Sequence, residues 1–564
     1  MTKDKKTFSH AKYVCVLFVI IVFSLIIRLI RIRLVPSGIS TDVLLYFINA
    51  RSIAETGKDI YGRFFPLFSS HKGFLLSPVV MYVMALFYKL FGFSFTVGYL
   101  PNILIATASI FIAGLFATYL TGKRRIGIIT ALLLSVSPWH YHLSRTGFEG
   151  VFGYSLVLIG IYCSVLALKK PKYFIFSFIL FAIAMFAYKA INIFLIVYPF
   201  IFAFTVGWKK SKLSHVILFI IAIWTVVIVQ WFFLFIYYHD TYSTGFINNN
   251  IQNAALNVES DRVMSDAPHV VRLLLSNVPL SLTHIYLANY LQFFSPQYLL
   301  INGDNDLRYS TGRGGQIYLL DVLFIVTGMV WLAKTRKKAP LFLLLSIIVV
   351  APLAALISDQ EYAVRTFISV FALAILGACG VEQFIDWGKT TKLRKVIIVI
   401  IGGLYVFSVI QYLYRYQFLY VHYAREAWDG VNEQVFTEAN HLRGSYRRIA
   451  FGRSTEFYYL EFMYWNILPI HDMQKALKTY DGKTLTYDNI LFVSTCSFQS
   501  DDILKNSIKN DELLYTPEPC IKDIPPLQRY YLPKTLTWLW KTYDAQTVNL
   551  YFANMQNTGA QNAK

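Results

Sequence analysis

The chain alternates long apolar runs with short basic clusters. A bilayer-crossing helix needs roughly 20 apolar residues. Runs of about that length fall at 13–34, 98–120, 126–143, 150–168, 173–188, 191–207, 214–237, 316–333, 340–357, 364–384 and 395–413. Between them stand Lys3, Lys5, Lys6 and Lys12; Lys123, Arg124 and Arg125; and Lys169, Lys170 and Lys172. Further along come Lys209, Lys210 and Lys212; Lys334, Arg336, Lys337 and Lys338; and Lys389, Lys392, Arg394 and Lys395. Lys and Arg accumulate on cytoplasmic loops. With every cluster inside, the signals alternate through about eleven helices, the N-terminus is cytoplasmic, and three long segments lie outside, at 35–97, 238–315 and 414–564.

The first outer segment holds two apolar stretches that the pattern keeps from spanning. Residues 77–92, "SPVVMYVMALFYKLFG", are short, and a span there would turn Lys123, Arg124 and Arg125 outward, so a juxtamembrane or re-entrant helix is expected. Residues 43–54 are interrupted by Asn49, Arg51 and Ser52, which predicts a helix lying in the interface. Ser40 or Thr41 would be its N-cap. The second segment contains a membrane-hugging aromatic piece, "HIYLANYLQFFSPQYLL", then the polar loop "INGDNDLRYSTGRGGQ". In the third, "YRRIAFG" and "NILFVSTC" read as strands with helical patterns between them. That predicts a small soluble α/β domain over 414–564, following a helical membrane domain over 1–413.

Composition supports this reading. Of 564 residues, 56% are hydrophobic and only 15% charged, where a soluble chain carries about a quarter charged residues. The net charge of +20 is distributed as a topology signal, so no nucleic-acid partner is expected. The first run is long enough to span and no small-residue cleavage site follows it, so no cleaved signal peptide is expected. Cys15, Cys163 and Cys379 lie in apolar runs as small hydrophobes. Cys496 and Cys520 lie in the polar third segment and could pair in an oxidising compartment.

Polar residues gathered at one end of a membrane bundle are functional candidates. Here they gather at the outer ends: Arg28 late in the first run, Asp42 after its exit, Arg145 and Glu149 in "SPWHYHLSRTGFEG", Lys189 in "AYKA", and Arg365 in "SDQEYAVRT". Each has a plainer role open to it. Arg28 could snorkel to headgroups. Asp42 could simply start a helix. Arg145 and Glu149 could form an i,i+4 ion pair, and Lys189 and Arg365 could bind lipid phosphates. His140 and His142 are two apart, which points them to different helix faces and argues against a metal pair. "GDND" imitates a metal motif, but Asp-rich turns are common in loops. "GRGG" lacks the strand and helix context of a phosphate loop.

Taken in order, these stretches resemble a family: bacterial membrane glycosyltransferases of the GT-C class, protein-mannosyltransferase type, related to the lipid A aminoarabinose transferases. The resemblance runs through Arg28, Pro36, Gly38 and Asp42, then "NARSIAETGKDIYGRFFPLF", "LFGFS" and "SPWHYHLSRTGFE". It continues through "NYLQFFSPQYLLINGD", Arg308, "GGQIYLLD", "EYAVRT" and "YVHYAREAWDG". The chain departs from the family at Val43, where a second acid is usual, and at Tyr99, where Arg is usual. The resemblance implies a polyprenyl-phosphate sugar as donor and a protein or envelope glycolipid hydroxyl as acceptor. It implies the outer face of the cytoplasmic membrane, among membrane lipids, as the place of reaction, with inversion at the anomeric carbon. Asp42 would be the catalytic carboxylate and Glu149 a second acid. Arg28, Arg145, Lys189 and Arg365 would hold the donor phosphate. No nucleotide cofactor is required, and no residue pattern supports a divalent metal. The other class to weigh is a transporter or flippase, which would carry charges or broken helices near the bilayer midplane.

Overall fold

The computed structural model describes residues 9–71, 74–206, 213–237, 241–335, 337–356, 362–452, 456–480, 484–493, 512–516, 528–531 and 538–544. Cys496 and Cys520 lie outside the described residues. In chain order the helices begin with α1 (His10–Leu29), α2 (Thr41–Thr56), α3 (Pro78–Phe91), α4 (Phe95–Thr121), α5 (Arg124–Val136), α6 (Pro138–Ser144), α7 (Glu149–Ala167) and α8 (Tyr173–Ala187). Then come α9 (Ile191–Val206), α10 (Leu213–Trp231), α11 (Thr241–Met264), α12 (His269–Leu275), α13 (Val278–Gln292), α14 (Leu319–Lys334), α15 (Lys338–Val350), α16 (Tyr362–Arg365), α17 (Ile368–Gly388) and α18 (Lys392–Tyr414). The last are α19 (Val421–Tyr423), α20 (Asn432–Leu442), α21 (Glu456–Trp465) and α22 (Ile470–Thr479). A short hairpin, β1 (Ser69–His71) with β2 (Phe74–Leu76), precedes α3.

This is a multi-pass membrane protein. Among the described residues, eight helices are long and apolar enough to cross a membrane, or nine if α5 and α6 form one span bent by 58°. The sequence pattern expects about eleven, and the difference has local causes. Helices α8, α9 and α14 have only 15, 16 and 16 residues. Residues His269–Ile301, which contain the aromatic piece at 284–300 expected to hug the membrane from outside, are long and apolar enough to span. The run at 126–143 is broken because Pro138 brings no N–H to continue the helix, and Ser137 caps the new one at His140. That break sets up the turn at Arg145.

The chain divides into two compact units. The first comprises Met1–Ile32, Leu67–Val83 and Ser94–Arg415. Its helices approach through glycines. A Cβ on Gly328 of α14 would stand 1.9 Å from the Leu376 carbonyl oxygen of α17, and one on Gly380 of α17 would stand 1.8 Å from that of Phe324. Small residues are what let membrane helices pack backbone to backbone.

The second unit comprises Arg33–Pro66, Met84–Phe93 and Tyr416–Lys564, so it includes two pieces of the first outer segment besides the expected C-terminal domain. Six strands are described: β3 (Arg448–Phe451), β4 (Thr484–Tyr487), β5 (Ile490–Val493), β6 (Glu512–Thr516), β7 (Gln528–Tyr531) and β8 (Trp538–Asp544). They form a sheet in the order β4-β5-β3-β6-β8-β7, parallel at β3/β5 and β3/β6 and antiparallel elsewhere. Phe451 stacks on Phe492 at 5.0 Å and on Tyr515 at 4.8 Å, which ties the three central strands together on one face.

Helix α2 corrects the expectation of an interface-lying helix, because every residue from 43 to 53 is buried. The polar interruptions are used inside the unit. Asn49 Oδ1 accepts the Ile60 N–H at 3.3 Å. Arg51 bonds Glu55 at 2.7 Å and lies 4.5 Å over the Phe93 ring. Gln474 Nε2 donates to the Asp59 carbonyl at 2.9 Å, fastening the loop after α2 to α22.

Candidate active site

The end of α1 is held by two buried arginines of the first unit, each fully excluded from solvent. Arg28 Nε donates to Ser144 Oγ at 3.0 Å. Its Nη1 donates to the Ser24 hydroxyl, to the Ser24 carbonyl at 3.1 Å and to the Ser135 carbonyl at 3.2 Å. Its Nη2 meets His140 Nδ1 at 3.0 Å and the Leu134 carbonyl at 3.5 Å. A guanidinium has five N–H hydrogens and no acceptor, and all five have protein acceptors here. Because Arg28 only donates, His140 Nδ1 carries no hydrogen, and His140 Nε2 donates to Ser109 Oγ at 3.2 Å. This network ties α1 to α4, α5 and α6.

Arg145, the residue that ends α6, turns Nη1 onto the last carbonyls of α1: Arg28 at 2.6 Å, Ile30 at 2.8 Å and Ile27 at 3.3 Å. A cation there suits the negative end of the helix dipole and satisfies carbonyls that lack an intrahelical partner. Tyr141 also bonds the Ile27 carbonyl at 2.9 Å, and its ring lies 5.4 Å from the Arg28 guanidinium and 5.6 Å from that of Arg145.

A second group forms where α7 begins. Glu149 is the first residue of α7, Lys189 lies in the turn between α8 and α9, and Arg365 ends α16. Glycines bring these segments together. A Cβ on Gly150 would stand 2.3 Å from a Val364 methyl and 3.2 Å from the Tyr188 ring, and one on Gly153 would stand 2.5 Å from Ile191. Tyr154 of α7 donates its hydroxyl to the Arg365 carbonyl. The immediate chain neighbours of Glu149, Lys189 and Arg365 therefore touch one another.

The polar loop 302–318 closes over the same region. Asp304 accepts the Ala363 N–H at 2.9 Å, and Trp139 Nε1 donates to the Ala363 carbonyl at 2.8 Å. His142 Nε2 donates to the Arg308 carbonyl at 3.0 Å, and Phe148 packs on Tyr309 at 4.8 Å. The two histidines are thus engaged separately, and Arg308 pairs with Asp306 at 2.6 Å. Among the described residues no group of three or more His, Cys, Asp or Glu is arranged to hold a metal ion. In the sequence His140 reads as a doubtful metal ligand and Asp304 as an ordinary turn residue, and neither Trp139 nor Tyr154 is singled out; the partners of all four lie far along the chain.

Asp42 belongs to the second unit, as the second residue of α2. Ser40 stands at the N-cap, but its hydroxyl makes no capping bond. The approach to Asp42 is fixed by Gly38, where a Cβ would stand 2.0 Å from the Trp428 carbonyl oxygen. That carbonyl belongs to a tight loop closed by Gly430 N–H to the Arg425 carbonyl, 2.9 Å, and Arg425 Nε to the Gly430 carbonyl, 3.1 Å. The "PSG" and "AREAWDG" motifs are thus two sides of one contact. Val43, next to Asp42, is buried, as is Tyr99 of the first unit.

Residues 76–232, from α3 to α10, match the family model described as dolichyl-phosphate-mannose-protein mannosyltransferase. The structure of ArnT from Cupriavidus metallidurans in the apo state aligns over 94% of this chain and 98% of that one, at 11% identity and a TM-score of 0.52. ArnT from the same organism bound to undecaprenyl phosphate aligns over 94% and 97%, at 11% identity and a TM-score of 0.47. The archaeal oligosaccharyltransferase AglB from Archaeoglobus fulgidus, in complex with an inhibitory peptide and a dolichol-phosphate, aligns at 12% identity with a TM-score of 0.48. That alignment takes in 81% of this chain, which spans 64% of AglB. No curated protein matches the chain. The fold is that of the apo ArnT structure. The sequence resemblance to the mannosyltransferase type holds, carried by α3 to α10, which contain Arg145, Glu149 and Lys189.

Proposed function

We propose that the protein is a glycosyltransferase that moves a sugar from a polyprenyl-phosphate carrier to an acceptor hydroxyl. The reaction takes place at the outer face of the cytoplasmic membrane, with the N-terminus inside and the C-terminal α/β domain outside. The observation that carries this reading is the gathering of Glu149, Lys189 and Arg365 at the start of α7, within a chain whose residues 76–232 match the mannosyltransferase model.

The acceptor oxygen attacks the anomeric carbon as the carbon–oxygen bond to the lipid phosphate breaks. Direct attack inverts that carbon. The acceptor's proton passes to the Asp42 carboxylate, and the bonding pair leaves with the phosphate. A positioned carboxylate is suited to the first task. Fixed cations are suited to the second, because charge develops on the leaving phosphate. Arg145, Lys189 and Arg365 fill that role, with Glu149 as a second acid. Arg28 does not touch the phosphate in this reading, since its hydrogens are all taken up inside the bundle. It instead fixes the end of α1 to α5 and α6.

The test is transfer from radiolabelled polyprenyl-phosphate sugars to hydroxyl acceptors in reconstituted vesicles, scored beside movement of the same lipids across the bilayer. Sugar transfer supports the enzyme. Lipid movement without transfer would make the protein a flippase and sink the proposal.

A further inference from the structure

We propose that Asp304, in the loop the sequence presents as an ordinary Asp-rich turn, is a positioning residue for Arg365. The inference rests on the reading of Arg365 as a ligand of the donor phosphate. Helix α16 has four residues. A helix that short has one turn at most and does not hold itself, because nucleation costs more than its few hydrogen bonds return. Its place is set by neighbours. Asp304 Oδ2 takes the Ala363 N–H at 2.9 Å from one side, and the Trp139 indole takes the Ala363 carbonyl at 2.8 Å from the other. Tyr154 bonds the Arg365 carbonyl, and Tyr298 and Thr366 hydroxyls meet at 3.3 Å. Among these anchors, Asp304 is the one with a carboxylate.

Asp304 is itself firmly held. It is 3% exposed, and its carbonyl accepts the Ser310 hydroxyl at 2.9 Å. Its second carboxylate oxygen accepts the Asp306 N–H at 3.3 Å. The preceding Gly303 has φ +80°, a conformation that favours glycine, and a Cβ there would stand 2.7 Å from Ser310. The loop is thus folded so that one buried carboxylate meets the first turn of α16, where backbone N–H groups lack helical partners. Arg365 lies two residues further on, 8% exposed. Loss of the Asp304 anchor lets the turn move, and Arg365 moves with it.

The test is a double-mutant cycle on the full-length protein in detergent, reading the affinity for a short-chain polyprenyl phosphate together with KM and kcat for transfer. Asp304→Ala is expected to weaken binding about tenfold, the scale of one lost hydrogen bond to a charged acceptor. KM should rise while kcat changes less. In an Arg365→Ala background the same change should cost less than about twofold, because coupled residues do not add. Asp304→Asn keeps an acceptor oxygen for Ala363 and should lose only about threefold, again only when Arg365 is present. That variant carries the test if the alanine form does not fold. Additive losses, or unchanged binding for the Asp304 variants, would overturn the positioning role while leaving Arg365 as a ligand. Unchanged binding for Arg365→Ala alone would remove the phosphate reading and this inference together.

Discussion

The Arg28 network gives a prediction that separates a clamp from a phosphate ligand. Replacing Arg28 by Met keeps most of the side-chain length and removes every donor. The Ser24 and Ser144 hydroxyls can turn to other partners, whereas the Ser135 carbonyl and His140 Nδ1 lose a charged donor at 3.2 and 3.0 Å in a buried site. Hydrogen bonds to a charged group contribute about 1.5–3 kcal/mol each, and losses within one network are not additive. A destabilisation of about 3 kcal/mol is therefore expected. It should appear as a drop of several degrees in the midpoint for heat-induced loss of the monodisperse peak in detergent. Arg28→Lys is the sharper variant. An ammonium has three hydrogens on one atom and cannot serve Ser144, Ser135 and His140 together, so Lys should recover little stability. In both variants the folded fraction should bind a polyprenyl phosphate within about threefold of wild type, since no Arg28 hydrogen is left for the ligand. The reasoning is refuted if Arg28→Met is as heat-stable as wild type, or if Lys restores binding that Met has lost.

Three further outcomes are expected. Gly150→Ala drives a methyl group into Val364, so it should destabilise by about 1–3 kcal/mol through overpacking and lower transfer more, at equal expression, than Gly402→Ala in α18, where a Cβ meets nothing within 4 Å. Arg145→Ala should weaken donor-lipid binding and also increase hydrogen exchange at the end of α1, because its carbonyl contacts go with it. In the second unit, burial and then the charge of Asp429 push the Glu461 carboxyl well above its usual range, against donation from Asn432 and Trp465. A raised carboxyl contributes stability that is fully present below the unfolded value of about 4.3 and is lost as pH rises toward the folded one. Hydrogen exchange of α21 in the intact protein should therefore speed up over that rise, and Glu461→Gln should flatten the trend.

Much of the membrane part is legible because a spanning helix is written locally, in one apolar run, and most runs return as helices. What failed were judgements about polar residues inside apolar runs. Asn49, Arg51 and Ser52 look like breaks that keep α2 at an interface, yet their partners are Ile60, Glu55, Phe93 and Gln474, and one of these is more than four hundred positions away. The same distance hides the makeup of the second unit, since nothing local ties 33–66 to α20–α22. Arg28 reads as a surface or site residue until its acceptors on α5 and α6 are seen. Asp304 reads as a loop residue until Ala363 is beside it. The candidate acids and cations stood out because charge is rare in such a chain. Which of them face a ligand and which hold the scaffold depends on contacts between distant segments.

The central claim is that Asp42 takes the acceptor's proton, and Asp42→Asn tests it most directly. Asn keeps the size and the helix-starting ability of Asp but cannot accept a proton at working pH. The account predicts initial transfer rates from polyprenyl-phosphate sugar lower by about 10²–10⁴-fold, with normal membrane insertion and unchanged affinity for the donor lipid. Near wild-type turnover would contradict it, leaving Asp42 as a helix-start residue and Glu149 as the carboxylate to test next.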